Sequence, residues 1–225
     1  MTPVKQAVLF DLDGTLLDSL ADITLCGNTA LEISGLPQHT QEEYRNYIGN
    51  GADMLIRRML KPEDYARHGT KVKADYMALY GDLCARGCKT YPGVPEMLRT
   101  LQKAGILTAV ISNKPDFQVR AVWLSTFGDS LNLARGQVEG VPVKPDPAGP
   151  KEVLKRLGED CRCIAYVGDS EVDMQTGKNC GFYTVGVTWG MKSRKVLREN
   201  GADCLVATME DLTSTLMELV SGKKE

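Results

Sequence analysis

The sequence predicts an α/β fold, a doubly wound parallel sheet with a Rossmann-like core that carries a small inserted helical domain. Three observations lead to this prediction. Short apolar runs alternate with longer amphipathic stretches, which is typical of parallel strands joined by covering helices. Acidic and polar residues follow several apolar runs, where open α/β sheets bind ligands. The stretch from Asp13 to Ser112 is about three times the ~30 residues that a strand-helix-strand unit needs.

Each predicted strand is a short run of apolar and β-branched residues. The first is "AVLF" at 7–10, which leads directly into Asp11. The later strands are predicted at 106–112, 163–168, 183–188 and 204–207, with a weaker one at 131–135. Helices are predicted at 94–104, 115–126, 148–158, 172–180, 192–200 and 208–220. Gly177 is expected to weaken its helix by up to about 1 kcal/mol.

The excess of chain after the first strand is predicted to be a helical cap over residues 17–87. The catalytic core then consists of 1–16 and 88–225. A first helix from Ser19 places apolar residues at helical spacing, namely Leu20, Ile23, Ala30 and Leu31. A capping box at Thr40 and Glu43 indicates a second helix, and a third begins near Pro62.

Composition narrows the class of partner. The chain has 27 basic and 29 acidic residues, a net charge of −2, which gives little electrostatic attraction to nucleic acid or to an anionic membrane. No apolar run approaches the roughly 18 residues that a membrane span requires. We therefore expect a small-molecule partner, with neither nucleic acid nor membrane, and the oligomeric state is unknown.

The number and spacing of the cysteines predict the cellular compartment. The seven cysteines form an odd set without zinc-type CxxC pairs, which favours free thiols in a reducing environment. We expect a cytoplasmic protein. A bridge or a metal site formed by Cys84 and Cys88 is the less favoured alternative.

Four short polar segments carry the candidate chemistry: "DLDGT" at 11–15, "SNK" at 112–114, "KPDP" at 144–147 and "GDSEVD" at 168–173. They bring together Asp11, Asp13, Asp169 and Asp173 with hydroxyl, amide and ammonium donors. Carboxylate oxygens suit Mg²⁺, and the donors suit phosphoryl oxygens. A cation would also explain two acids close together at the end of a buried strand, because the pair would otherwise repel.

Each of these residues also has a purely structural interpretation. Asp11 and Asp13 could form a turn with a side-chain hydrogen bond, and Ser112 could cap the next helix. Asp173 would stabilise a helix dipole in the first turn. Lys144 alone would ordinarily be solvated, but a following proline restricts its backbone to extended geometry. The occurrence of all four segments in one chain favours the functional interpretation.

In this order, the four segments resemble the motifs of the haloacid dehalogenase superfamily of phosphohydrolases, over the whole chain. The helical insertion lies where that family carries its commonest cap. The stretches 47–60 and 166–182 are most similar to phosphoglycolate phosphatases within the family. The resemblance implies a magnesium-dependent phosphatase that hydrolyses a small phosphorylated metabolite, foremost 2-phosphoglycolate, through an aspartyl-phosphate intermediate.

The resemblance also implies a role for each matched residue. Asp11 would be the nucleophile and Asp13 the general acid/base. The expected metal ligands are Asp11, Asp169 and the main-chain oxygen of Asp13. Phosphoryl oxygens would be bound by Ser112, Asn113 and Lys144. The supporting residues would be Gly14, Thr15 and Asp173, the last acting through a metal-bound water or by orienting Lys144. In the cap, Asn50 and Arg57 are candidates for substrate contact.

Several other functions share parts of this pattern. A sugar phosphomutase uses the same intermediate for return transfer, and a pyrophosphatase of the same superfamily differs in its leaving group. A phospho-aspartate receiver domain combines acids, a hydroxyl and a lysine, but it lacks a second acid two positions on and has no cap. A dehalogenase needs no acid to protonate an alkoxide. Nucleotide binding through a P-loop has no support, since neither GxxxxGK[ST] nor GxGxxG occurs.

Overall fold

The computed structural model describes residues 4–222, which form one six-stranded sheet and ten α-helices. The strands are β1 (Gln6–Phe10), β2 (Leu107–Pro115), β3 (Leu133–Gln137), β4 (Arg162–Gly168), β5 (Thr184–Val187) and β6 (Cys204–Val206). The helices are α1 (Leu20–Ile33), α2 (Gln41–Tyr47), α3 (Gly51–Met59), α4 (Pro62–Arg86), α5 (Val94–Lys103), α6 (Asp116–Val122), α7 (Ala148–Leu157), α8 (Glu171–Cys180), α9 (Arg194–Glu199) and α10 (Met209–Val220). The predicted α/β fold class is confirmed. Residues 1–3 and 223–225 of the predicted core lie outside the described residues.

All neighbouring strands of the sheet are parallel, in the order β3-β2-β1-β4-β5-β6. The chain builds one half of the sheet outward from β1 and then the other half outward from β4. The order therefore reverses between β1 and β4, where their carboxyl ends diverge into a crevice. This is the position at which sheets of this kind bind ligands.

The apolar core explains why β1 lies at the centre of the sheet. Residues 7–10 have no exposed surface, because strands flank them on both sides and helices cover both faces. The larger buried cluster joins one face of the sheet to α1–α4, and a smaller one around Leu9, Ile111 and Tyr166 fills the other face. No helix in the described part of the chain is long and apolar enough to cross a membrane.

The four helices α1–α4 lie between β1 and α5 and pack on one another. α1 contacts α2 and α4, and α3 contacts α4. The predicted apolar positions of α1 are buried, and the predicted capping box of α2 is present, with the Thr40 N–H 2.7 Å from Glu43 Oε2. α3 lies within the predicted helical cap, but no separate helix was predicted there. It begins at Gly51, directly after Asn50.

Most element bounds differ from the predicted ones by one or two residues, and the larger differences lie around β2 and β3. β2 extends three residues further than predicted because Pro115 still pairs with Gln137, and Asp116 Oδ1 accepts the Gly136 N–H at 2.9 Å. The helix predicted over 115–126 is therefore the shorter α6 followed by a π-helical turn. β3 begins two residues later than predicted, because the Asn132 side chain is bound to the Thr108 N–H at 2.8 Å.

Candidate active site

Most predicted site residues meet at one cavity at the carboxyl edge of the sheet. Asp11 follows β1 and Asp169 follows the neighbouring strand β4. Six predicted residues line the cavity: Asp11, Asp13, Ser112, Asn113, Lys144 and Asp169. The helical insertion covers its outer side with Ile48, Gly49, Ala52 and Leu55. The four polar segments, far apart in the sequence, are thus brought together in a covered crevice.

Lys144 lies between two carboxylates. Its Nζ is 2.6 Å from Asp11 Oδ1 and 2.7 Å from Asp173 Oδ1, and its side chain is 5% exposed. Burial alone would lower the pKa of the lysine, but the two carboxylates more than offset this effect and hold the pKa of Lys144 well above its usual range. The cavity wall therefore contains a fixed, charged ammonium group.

Asp11, Asp169 and Asp173 form a buried acidic cluster with carboxylate oxygens within 4.8 Å of one another. Burial, and then repulsion from Asp173, raise the pKa of Asp11 to about 7, against the opposing effect of Lys144. Burial and the same neighbouring acids raise the pKa of Asp169 well above its usual range. A bound cation would offset both the lost hydration of the buried carboxylates and the repulsion between them. Carboxylate oxygens are ligands that Mg²⁺ prefers. The donor set fits a magnesium ion.

Asp173 differs from the other two acids because both of its oxygens already have donors. Ser170 Oγ donates to Oδ2 at 2.6 Å, and Lys144 occupies Oδ1. The Ser170 N–H also donates to Asp173 Oδ2 at 3.1 Å and the Asp173 N–H donates to Ser170 Oγ, so the two residues form a capping box at the start of α8. Asp173 thus lies in the first turn of α8, where the sequence analysis expected it to stabilise the helix dipole, and it also contacts Lys144.

Asp169 is fixed by main chain that approaches it closely. Gly14 has a φ of +83°, and a Cβ atom there would overlap the Asp169 carboxylate. Thr15 Oγ1 donates to Asp169 Oδ1 at 3.3 Å, and the Met191 N–H donates to Oδ2 at 2.6 Å. Gly14 and Thr15 therefore lie where the sequence analysis expected supporting residues.

Ser112 and Asn113 lie within the last residues of β2. Ser112 Oγ accepts the Lys114 N–H at 3.1 Å, a contact that leaves the hydroxyl proton available to a ligand. Asn113 Oδ1 accepts the Lys144 N–H at 2.9 Å, and its Nδ2 donates to the carbonyl oxygens of Gly49 and Lys144 at 3.1 and 3.2 Å. The Asn113 side chain thus ties β2 to the Lys144 loop and to the insertion.

The whole arrangement can be compared with known proteins. The family model of haloacid dehalogenase-like hydrolases matches residues 8–187, which include every polar segment of the cavity. The chain belongs to the haloacid dehalogenase-like hydrolases. The resemblance stated from the four sequence segments is therefore confirmed.

Individual relatives extend this match over nearly the whole chain. A phosphoglycolate phosphatase of Haemophilus influenzae is 35% identical over 219 residues, which cover 92% of this chain and 96% of that protein. One from Pseudomonas putida is 35% identical over 192 residues, covering 83% of this chain and 71% of that protein. Together with the family match, these relatives identify this haloacid dehalogenase-like hydrolase as a phosphoric monoester hydrolase.

Solved structures have the same fold. A predicted phosphoglycolate phosphatase from Haemophilus somnus is 26% identical with a TM-score of 0.81, covering 96% of this chain and 100% of that one. A crystal structure from Lactobacillus delbrueckii subsp. bulgaricus is 30% identical with a TM-score of 0.83, covering 93% of this chain and 97% of that one. The sheet and its helical insertion are thus shared features of these haloacid dehalogenase-like hydrolases.

Two lysines of the cavity were not singled out from the sequence of this hydrolase. Lys114 belongs to the quoted "SNK" segment, and its Nζ is 2.8 Å from Asp13 Oδ1. Burial opposes its charge, but Asp13 reverses the effect, and the pKa of Lys114 is raised. Lys192 also lines the cavity, and its Nζ donates to the main-chain oxygen of Arg45 at 3.0 Å. The position of Lys114 directly after Ser112 and Asn113 was the available signal, whereas nothing in the sequence marked Lys192.

The side chains of Asn50 and Arg57, which the sequence analysis named as candidates for substrate contact, have other partners. The Asn50 side chain accepts a hydrogen bond from Arg58 at 2.7 Å, and the Arg57 guanidinium lies over the Tyr65 ring at 4.9 Å from its centroid. Neither Asn50 nor Arg57 lines the cavity, although Gly49 and Gly51 do. The buried face of α3 carries Ala52, Leu55, Ile56 and Met59, and Arg57 falls outside that face.

Proposed function

We propose that this hydrolase is a magnesium-dependent phosphatase that transfers the phosphoryl group of a small metabolite, 2-phosphoglycolate foremost, to Asp11 and then to water. The observation that carries the proposal is that two neighbouring acids at one cavity are each paired with a different lysine. Asp11 pairs with Lys144, and Asp13 pairs with Lys114. A nucleophile and an acid/base two residues apart need different charge environments, and here each has its own.

In the first half-reaction, an Asp11 carboxylate oxygen attacks phosphorus in line. The bond from phosphorus to the ester oxygen breaks as the bond to Asp11 forms, and Asp13 gives its proton to the leaving oxygen. The Lys144 ammonium and the Ser112 hydroxyl bind phosphoryl oxygens as negative charge spreads over them. The alcohol product leaves, and Asp13 remains as a carboxylate.

In the second half-reaction, water attacks the phosphorus of the aspartyl-phosphate. Asp13 takes the water proton, the bond from phosphorus to Asp11 breaks, and phosphate is released. One residue thus acts first as acid and then as base, and it ends protonated as it began. Covering the cavity with the insertion limits access of bulk water during these steps.

The metal would be held by Asp11, Asp169 and the main-chain oxygen of Asp13. Asp173 belongs to the same acidic cluster, but Lys144 and Ser170 already occupy its oxygens. When bound, Mg²⁺ supplies positive charge against the acidic cluster and the phosphate dianion. Among these ligands, Asp169 is held in place by close packing against Gly14 and by the hydrogen bond from the Met191 N–H.

Two observations support 2-phosphoglycolate as the substrate. Relatives that match nearly the whole chain are named phosphoglycolate phosphatases. In addition, the cavity-lining Lys192 has only the Arg45 carbonyl oxygen as a hydrogen-bond acceptor and no carboxylate partner among the described residues. An unpaired ammonium group at the cavity favours a leaving group that carries its own negative charge, as glycolate does.

Two further assignments accompany this proposal. We propose that residues 17–87 act as the cap that covers the substrate, on the basis of the Asn113 contact to Gly49 and the Arg45 contact to Gly190 at 3.0 Å. We also propose a cytoplasmic location, which the seven free cysteines support.

A panel of phosphorylated metabolites tests the substrate. We expect the highest kcat/KM for 2-phosphoglycolate, and lower values for ethyl phosphate, glucose phosphates, pyrophosphate and nucleoside monophosphates. Lys192→Met should lower kcat/KM for 2-phosphoglycolate more than for ethyl phosphate. The matched control is Lys195→Met, which removes the same charge from a lysine side chain that is 81% exposed. Preference for pyrophosphate, or phosphoryl transfer between sugar positions, would replace the proposal with one of the two alternatives.

A further inference from the structure

The side chains of Asp13, Lys114 and Tyr80 each contact the other two beside the cavity. Lys114 Nζ is 2.8 Å from Asp13 Oδ1 and 2.9 Å from the Tyr80 hydroxyl, which itself lies 3.4 Å from Asp13 Oδ1. The ammonium group also lies 4.5 Å from the centre of the Tyr80 ring. Two different elements supply these partners of Asp13: β2 provides the lysine and α4 of the insertion provides the tyrosine.

This arrangement is costly to fold. The Lys114 side chain is 4% exposed and Tyr80 is 1% exposed, whereas the Asp13 side chain is 13% exposed at the cavity wall. Removing an ammonium group from water is unfavourable unless a partner compensates for it. Asp13 is the carboxylate that Lys114 pairs with in the described residues. The fold therefore holds a buried cation against this one acid.

The contacts distinguish the two oxygens of Asp13. Both the ammonium and the phenol donate to Oδ1. Among residues 4–222, no hydrogen-bond donor contacts Asp13 Oδ2, although Asp13 lines the cavity. One oxygen is thus fixed by donors, and the other is left to a ligand.

We propose that Lys114, supported by the Tyr80 hydroxyl, is a positioning residue that holds Asp13 Oδ1 so that Oδ2 carries the proton exchanged with the substrate. The inference rests on the proposed acid/base role of Asp13. The Oδ2 proton moves to the leaving oxygen as the ester bond breaks, and Oδ2 later takes a proton from the attacking water. Because a donor at Oδ1 stabilises negative charge there and repels a proton, the exchangeable proton is confined to the other oxygen, Oδ2.

The contact also gives the insertion a direct part in the reaction. Tyr80 is stacked on Tyr76 of the same helix, with ring centroids 5.6 Å apart and an angle of 21° between the planes. Tyr76 in turn lines the cavity. The position of α4 therefore influences how Asp13 is held, in addition to covering the substrate.

A double-mutant cycle tests the inference with the full chain loaded with Mg²⁺. Single-turnover rates of phosphoryl transfer are measured for 2-phosphoglycolate and para-nitrophenyl phosphate, whose phenolate leaves without a proton. Lys114→Met should slow the reaction of 2-phosphoglycolate by about 100-fold, as expected for a misplaced catalytic group, with KM little changed. In an Asp13→Asn background, the same substitution should change the rate by less than about threefold, since the two residues act as one unit.

Tyr80→Phe is the milder variant of the same test. It keeps the buried ring and removes only the hydroxyl, so folding is preserved, and we expect a smaller loss that depends on Asp13 in the same way. Equal losses in the presence and absence of the Asp13 carboxylate would overturn the inference, because Lys114 would then act on the substrate directly. If Asp13→Asn alone left the ratio of the two ester rates unchanged, the proposed acid/base role of Asp13 would be wrong. This measurement does not involve any change at Lys114, so it distinguishes failure of the acid/base role from failure of the positioning role.

Discussion

Asp11 and Asp13 are two positions apart, and each is held by a different lysine. Lys144 contacts Asp11 at 2.6 Å, and Lys114 contacts Asp13 at 2.8 Å. Asp11 shares its lysine with Asp173, whereas Asp13 shares its lysine with a phenol. In the proposed mechanism, this separation lets the Asp11 carboxylate remain available for attack on phosphorus while Asp13 exchanges a proton.

The role of Asp13 predicts a loss that depends on the ester. Asp13→Asn removes the proton donor and keeps the shape, so hydrolysis of an alkyl phosphate such as 2-phosphoglycolate should slow by about 10²–10⁴-fold. For para-nitrophenyl phosphate, the formation of the aspartyl-phosphate should slow much less. Single-turnover kinetics of both esters measure this step separately from the later hydrolysis. An equal loss for the two esters would contradict general acid catalysis by Asp13.

The sequence was sufficient to predict that Asp11, Asp169 and Lys144 meet at one place, because the two acids directly follow recognisable strands and Lys144 precedes a proline. It did not predict the partner of Asp13. Lys114 becomes a buried contact only because β2 continues to Pro115, and this extension depends on pairing with β3 that no local pattern records. Contacts such as Tyr80 with Asp13 join residues 67 positions apart and depend on how the insertion packs on the core.

At the scale of elements, α8 contains a glycine, Gly177, whose packing against the sheet outweighs its unfavourable helix propensity. The helix begins with the Ser170 capping box and contains Gly177, which by intrinsic propensity should weaken it. A Cβ atom at Gly177 would overlap the Thr184 methyl group of β5. The glycine therefore allows α8 to lie close against the sheet, and this close packing keeps the start of the helix, with Asp173, beside Lys144.

Gly177→Ala should accordingly destabilise the protein by about 1–3 kcal/mol, the usual effect of overpacking, in spite of the helix propensity of alanine. Thr184→Ser removes the obstructing methyl group and keeps the hydroxyl that donates to the Gly201 carbonyl oxygen at 2.7 Å. The free energy of unfolding from denaturant titration should therefore be higher for the double variant than for Gly177→Ala alone. A Gly177→Ala protein more stable than wild type would show that propensity outweighs this contact.

At the scale of the whole molecule, the order of elements along the chain was predictable, and the way the insertion covers the sheet was not. Alternating apolar runs define the sheet, and the long interval after β1 reveals extra helices. The bounds of α3 were not predicted because the helix is short and begins at a glycine, and its partners lie on α4 and β2. One buried cluster spans the sheet and α1–α4, so the insertion is stabilised by the core that it covers.

The acidic cluster predicts how stability changes with pH and Mg²⁺. The pKa of Asp11 is raised from 3.8 to about 7, and that of Asp169 is also raised, so the folded protein binds more protons than the unfolded chain between these values. Without metal, the free energy of unfolding should fall as pH rises from about 4 to about 7. Mg²⁺ binds the carboxylates, so its stabilising effect should grow over the same range.

Thermal unfolding with chelator and with excess Mg²⁺ measures both effects. We expect the rise in Tm caused by Mg²⁺ to be several degrees larger near neutral pH than in mild acid. Asp169→Asn is the matched variant: it should raise the Tm of the metal-free protein near neutral pH and remove most of the response to Mg²⁺. A response to Mg²⁺ that is the same at both pH values, or that persists in Asp169→Asn, would place the metal elsewhere.

In the proposed mechanism the phosphoryl group passes through Asp11, and this step can be observed by trapping the aspartyl-phosphate. The wild-type protein is mixed with 2-phosphoglycolate labelled at phosphorus, quenched during the first turnover and digested, and the labelled peptide is identified. We predict label on the peptide that carries Asp11, and none on it in Asp11→Asn, which should still bind substrate. Label on another residue, or full turnover by Asp11→Asn, would show that Asp11 is not the phosphoryl acceptor.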